Sequence, residues 1–340
     1  RGKGIVRVNI LRFVISKHFT KTLLYILVVF MCFGFSQNAV KHALGETLTQ
    51  TQIPDAPQRI VVFPLFAEEM LLEMIGPDRI VYVGHPYYQN GETYSPTMEL
   101  TKNTKGQYWD MADEDEILAL RPDMIILEKS YARDYSEIFP KLAQADIQFL
   151  FLDTPRSIAD IRNTLMYLGE KVDKLEKSNQ MAEKMDAGLA RIADIVSGVP
   201  LENRAHVIYY EYWNSEDGRS TKWFRQNSFI MAAQAAGVIA LGPSTTDFVL
   251  TNANALLIKQ NPDIITFDYT DYDTDGSICG IAGSHIDDFI SSLLTDSQLS
   301  NVTAIRNHAI YPIRLCESQF IVQSAMELAQ LSYPDRFTKQ

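Results

Sequence analysis

Twice along this chain an apolar-periodic helix stops at a Pro-Asp pair and gives way at once to a short apolar run of strand type, in Glu116–Leu127 and again in Ala255–Phe267. Pro122 and Pro262 lack a backbone donor and push the preceding residue toward extended geometry, so each ends a helix and launches a strand. One helix-to-strand unit present twice predicts two similar α/β lobes. Chains of that kind hold ligands in a crevice where strand ends meet.

The rest of the sequence extends this pattern. Strands are predicted at Arg59–Phe63, Arg79–Val83, Asp123–Leu127 and Gln148–Leu152, with helices at Met70–Ile75, Asp113–Leu120 and Tyr135–Ala145 between them. A second series alternates in the same way from His206 to a C-terminal helix near Phe320–Leu331. Alternation of this kind means mostly parallel sheets flanked by helices. Between the series, Ser157 and Asp160 form a capping-box pattern, and a second helix is predicted from Asp173 to Ser197. Its 25 positions extend roughly 37 Å, enough to join two lobes as one stiff connector. The expected division is a signal peptide over 1–36, a first lobe over 53–156, a helical connector over 157–199 and a second lobe over 200–340. A length of 340 residues fits two domains.

The first 36 residues carry Arg1, Lys3, Arg7, Arg12, Lys17 and Lys21 with no acid, then the apolar run Leu23–Phe35. A basic stretch followed by about 13 apolar residues, too few to span a bilayer, predicts a cleaved signal peptide and a periplasmic protein. An uncleaved N-terminal anchor is the alternative. Bulky Phe30 and Met31 before Cys32 disfavour lipoprotein processing. Loss of those six cations and no acids takes the formal charge from −11 to −17, which excludes nucleic acid as a partner. Cys279 and Cys316 then remain, and an oxidising compartment permits one disulfide between them; two buried thiols are the equal alternative.

Loops after the strand ends are rich in rings. They hold Phe66, Tyr87, Tyr88, Tyr131, Trp213 and Tyr269, while Trp109 and Trp223 close the longer insertions Gly84–Asp110 and Trp213–Asn227. Such walls suit a large, partly apolar ligand. Arg133, Arg219 and Arg225 are placed to grip its oxygen atoms, and His85 to hydrogen-bond a chelate. Paired His or Cys-x-x-Cys spacing is missing, so a bare metal ion would need spatially assembled groups such as His85, His285 and Asp287. No nucleophile elbow, phosphate-binding Gly loop or His-Glu-x-x-His helix occurs; Cys279-Gly-Ile-Ala-Gly-Ser284 reads as a flexible turn. No catalytic residues, resident cofactor or metal are expected.

Several stretches resemble the exported substrate-binding proteins of ABC importers whose two lobes are joined by one rigid helix, the group that serves ferric siderophores, haem and cobalamin. The resemblance lies in Arg59-Ile-Val-Val with Pro64, Ile75-Gly-Pro-Asp-Arg-Ile-Val81, Ile117-Leu-Ala-Leu-Arg-Pro-Asp-Met-Ile-Ile126, Asn227-Ser-Phe-Ile230 with Ala236-Gly237, and Ala304-Ile-Arg-Asn-His-Ala-Ile-Tyr311. It implies capture of a metal chelate, a ferric siderophore before haem or a corrinoid, by a monomer that delivers it to an inner-membrane ABC permease. It also implies that Glu68 or Glu69 docks onto the permease. The matching glutamate of the second lobe is missing after Ser228-Phe229. An exported enzyme or metal-binding protein using the same crevice is the competing reading.

Overall fold

The computed structural model describes residues 56–84, 95–106, 112–131, 135–212, 221–223, 227–242, 249–250, 253–268 and 286–337. Two sheets, each flanked by helices, make up the architecture. The first contains β1 (Ile60–Val62), β2 (Ile80–Val83), β3 (Lys105–Gly106), β4 (Met124–Glu128) and β5 (Gln148–Leu152), all parallel, in the order β3-β2-β1-β4-β5. Ile60, Val61, Val62 and the Met124–Leu127 run are buried, as strands covered on both faces must be.

Among the described residues, α1 (Leu65–Ile75), α2 (Glu114–Ala119), α3 (Tyr135–Ile138) and α4 (Pro140–Ala143) belong with this sheet. α1 starts directly behind Pro64, in the turn that holds Glu68, and is buried from Phe66 to Leu72. With no polar face in its first two turns, it shows little helical periodicity. The single helix expected over Tyr135–Ala145 is two, because Phe139 leaves helical geometry before Pro140.

After β5 come α5 (Ile158–Lys171) and α6 (Leu175–Val196). Ser157 caps α5, its Oγ accepting the Asp160 N–H at 3.1 Å. At 22 residues α6 is about 33 Å long and is the expected connector. Its stripe of Met181, Ala182, Met185, Ile192 and Val196 is buried. Two glycines allow close helix approach. A Cβ on Gly169 of α5 would lie 2.1 Å from Ser178 Oγ, and one on Gly188 of α6 would lie 2.5 Å from a Val322 methyl.

The second sheet has β6 (His206–Tyr212), β7 (Thr221–Trp223), β8 (Ile239–Leu241), β9 (Val249–Leu250), β10 (Ile264–Asp268) and β11 (Ile310–Ile313). Its order is β11-β10-β6-β7-β9, with β8 also on β6. β8, β10 and β11 run parallel, whereas β7 and β9 add antiparallel pairing. Around it lie α7 (Asn227–Ala235), α8 (Ala253–Gln260), α9 (Ile286–Thr295), α10 (Thr303–Arg306) and α11 (Ile321–Ser332). One apolar cluster runs from Ile60, Met70 and Ile126 through Leu165 and Met185 to Phe229, Ile264 and Leu328, so both sheets share a core through the helices between them. The outer face of each sheet has its own smaller cluster.

Both Pro-Asp pairs do the same work. The Asp123 carboxylate accepts the backbone N–H groups of Gln58 at 2.7 Å and Arg59 at 3.0 Å, at the start of β1. Asp263 accepts the His206 N–H at 2.8 Å, at the start of β6. Each aspartate thus pins the first residues of the strand beside it. The residues before the prolines are not extended as expected: Arg121 and Asn261 have φ of 49° and 44°. Their N–H groups close the preceding helices onto Leu118 and Leu257 carbonyls, the left-handed stop that competes with the proline's steric preference.

Candidate functional site

In the first sheet the strand order reverses between β1 and β4, and in the second between β6 and β10. Loops leaving neighbouring strands at such a point diverge to opposite faces and open a crevice at the carboxyl ends. Phe63-Pro64 and Glu128 therefore stand at the carboxyl end of the first sheet's switch point, and Tyr212 and Asp268 end the two strands at that of the second.

Polar side chains collect at the ends of β4 and β5. Glu128 accepts the Thr154 hydroxyl at 3.1 Å and the Ser130 hydroxyl at 3.4 Å, and Lys129 pairs with Asp153 at 2.9 Å. Beside them lies a cavity of about 820 Å³. Lys129, Ser130, Phe151 and Thr154 line it from the strand ends, Arg156 from the link before α5, and Tyr167 from α5. The volume falls in the range of small-molecule pockets.

From the second lobe, residues 314–320 between β11 and α11 reach the first. Ser318 Oγ donates to Glu69 Oε2 at 2.5 Å, and Gln319 Nε2 donates to the Glu69 carbonyl at 3.3 Å and to Glu73 Oε2 at 2.9 Å. The other Glu69 oxygen accepts Ser95 Oγ at 2.7 Å. Burial pushes the Glu69 carboxyl up to about 7 against the opposing pull of those two hydroxyls and of Arg314. Glu317 is also pushed up to about 7, by burial first and then by the like charges of Glu128 and Glu69. Among the described residues, no three His, Cys, Asp or Glu side chains are grouped so as to hold a metal ion.

The predicted site residues divide into three sets. His85, Tyr87, Tyr88, Trp109, Arg133, Trp213, Arg225, Tyr269 and Cys279 lie outside the described residues. Tyr131 closes a single 3₁₀ turn directly after β4, and Trp223 ends β7, where it pairs with Val249. The third set lies inside the protein. Phe66 is 4% exposed and belongs to the shared core, so its ring serves packing. Glu68 and Glu69 are 1% and 2% exposed, and neither presents a carboxylate at the surface in this structure. Cys316 is buried as well, its N–H donating to Ser324 Oγ.

Lys129, Ser130, Thr154, Arg156 and Tyr167 escaped a search that followed aromatic loops. Their signal was available: polar positions 160, 163, 164 and 167 recur at helical spacing on one face of α5, next to a strand end. No helix among the described residues is long and apolar enough to cross a membrane.

The family model described as a periplasmic binding protein matches residues 60–314. No curated protein matches the chain. Among solved structures, the periplasmic haem-binding protein RhuT from Roseiflexus sp. RS-1, in apo form, has a TM-score of 0.63 at 17% identity, covering 82% of this chain and 99% of that one. The molybdate periplasmic binding protein MolA of Haemophilus influenzae, bound to molybdate, has a TM-score of 0.62 at 14% identity, covering 84% and 89%. CeuE of Helicobacter pylori in a Ni-His complex has a TM-score of 0.61 at 15% identity, covering 83% and 85%. At these identities the likeness is one of fold.

Proposed function

The chain belongs to the periplasmic binding protein family, as a solute-binding protein of the ABC importer kind, and we propose that it captures a metal chelate, a ferric siderophore, and delivers it to its permease. The observation that carries this reading is the position of the ring-bearing segments. The stretches holding Tyr87 and Tyr88, Tyr131, Trp213 and Tyr269 each follow the carboxyl end of a parallel strand, at β2, β4, β6 and β10. A sequence that puts rings directly after those strands suits a ligand with broad apolar flanks, and Lys129 and Arg156 line the cavity at the ends of β4 and β5 as charge-assisted donors. Glu128 and Glu317 oppose a polyanionic catecholate, which favours a hydroxamate-type chelate. Haem is the second reading, favoured because RhuT and a Pseudomonas aeruginosa neighbour are haem-binding proteins.

In this proposal the protein is an exported periplasmic monomer, with lobes over 53–156 and 200–340 about a connector over 157–199. Titration of intrinsic tryptophan fluorescence tests it, with ferrioxamine B, haemin, molybdate and bare Fe(III) or Ni(II) as probes. Saturable quenching by the ferric chelate at sub-micromolar concentration, without turnover, is expected. Preferential binding of haemin would select the second reading. Tight binding of molybdate or a bare metal, or product formation, would sink the proposal.

A further inference from the structure

Glu69 is a fully buried carboxyl group whose two oxygens are hydrogen-bonded to opposite parts of the molecule. Oε1 accepts Ser95 Oγ, which also pairs with Thr97 Oγ1 at 3.0 Å and accepts the Thr97 N–H at 3.2 Å. Oε2 accepts Ser318 Oγ, which in turn accepts the Phe320 N–H at 3.2 Å, in a segment 249 residues away in sequence. Ser95 leads into the turn Met98–Thr101 and so fixes where the insertion after β2 rejoins the first lobe. Ser318 stands at the start of α11, the helix that carries the shared core toward the second sheet.

We propose that Glu69 is a positioning residue whose carboxyl group latches the Ser95–Thr101 segment to the second lobe, and that the proton it carries sets how firmly the latch is held. Facing it are Arg314 at the end of β11, Glu317 in the segment that follows, and Glu128 behind Glu317 at the end of β4. Glu73 lies one turn on in α1, with Lys184 of α6 at 3.6 Å from it, and Glu68 precedes Glu69. A protonated Glu69 keeps both serine contacts, because a hydroxyl can donate or accept. Ionised, it is a desolvated charge beside a second carboxyl group. Burial raises its titration to about 7, so the latch is firm below that pH and loosens as pH rises through it.

The latch is independent of any ligand; only its effect on capture rests on the functional reading above. Amide hydrogen exchange of the ligand-free protein reads it directly, after division by the intrinsic chemical rate at each pH. The opening constant for residues 95–101 and 318–323 should rise by about tenfold per unit between pH 5 and 7 and level off above pH 8. Glu69→Gln should remain protected and lose that slope at residues 95–101, while residues 318–323 keep the part that Glu317 supplies. Ser318→Ala should open more at every pH. A flat wild-type profile, a Glu69→Gln profile as steep as wild type, or an unchanged Ser318→Ala profile would each overturn the proposal. In a second arm, ferrioxamine B affinity should fall between pH 6 and 8 in the wild type and not in Glu69→Gln; an unaltered profile counts against the latch. If ferrioxamine B binds at no pH, the functional reading fails while the exchange data still decide the latch.

Discussion

Replacing Gly169 by Ala tests whether α5 and α6 are in contact at the limit of closeness. The added Cβ would stand 2.1 Å from Ser178 Oγ and 2.5 Å from Ser178 Cβ. Rotating the hydroxyl away cannot relieve the second contact, and Ser178 Oγ is held by the Leu175 carbonyl at 2.8 Å. The helices must therefore part by about 1 Å, in a packed interior where overpacking costs about 1–3 kcal/mol. Ala gains about 1 kcal/mol over Gly in helix propensity, leaving a net loss of up to about 2 kcal/mol. Urea unfolding followed by circular dichroism measures this as a lower midpoint at unchanged slope, with a fall in Tm of several degrees. Combining Gly169→Ala with Ser178→Gly removes the clash, so the double mutant should be more stable than the sum of the single changes by about 1 kcal/mol. A Gly169→Ala protein as stable as wild type, or a double mutant with additive losses, would refute the close-contact reasoning. Parting these helices would also shift the connector, and chelate affinity should fall with stability.

Three further outcomes are expected. Asp123→Ala leaves the Gln58 and Arg59 N–H groups at the start of β1 to water and should destabilise by about 0.5–1.5 kcal/mol, whereas Asp123→Asn should recover part of that loss in the same unfolding assay. Glu69 and Glu317 titrate near 7 in the fold and near 4.5 when unfolded, so the stability they lend is full below about pH 4.5 and is lost as pH rises through 7; Glu317→Gln should raise unfolding free energy at pH 8 by up to about 3 kcal/mol and change it little at pH 4.5. Trp109→Ala with Trp213→Ala should weaken ferric chelate binding at least tenfold in isothermal titration, and unchanged affinity would remove the aromatic wall from the site.

Much of the scaffold was legible because it rests on local chemistry. Pro122 and Pro262 stop helices wherever they occur, and Ser157 with Asp160 announces a helix start within four residues. The antiparallel strands β7 and β9 and the edge strand β3 were not legible, since two or three residues cannot display a period. α1 shows little period for the opposite reason: burial of Glu68 and Glu69 among apolar neighbours erases amphipathic contrast. The same two glutamates show the limit for the site. A sequence reader expects adjacent acids at the surface, and only the tertiary approach of Ser95 and Ser318 makes one of them an interior hydrogen-bond acceptor. The cavity beside α5 was missed because its polar lining is assembled from two strand ends and one helix face, none unusual alone.

The pinning aspartates have a consequence for how such a protein can be retuned. Asp123 and Asp263 hold the amino ends of β1 and β6, while the crevice opens at the carboxyl ends of the same sheets. Across β4, five residues long, the two ends are about 16 Å apart, beyond the range over which substitutions usually couple. Loops at the open end can therefore be exchanged for others of different ligand preference while the anchoring end keeps its own free energy. A graft that alters affinity and a mutation that alters an anchor should then combine without interaction, leaving the binding surface free to diverge over a foundation that does not.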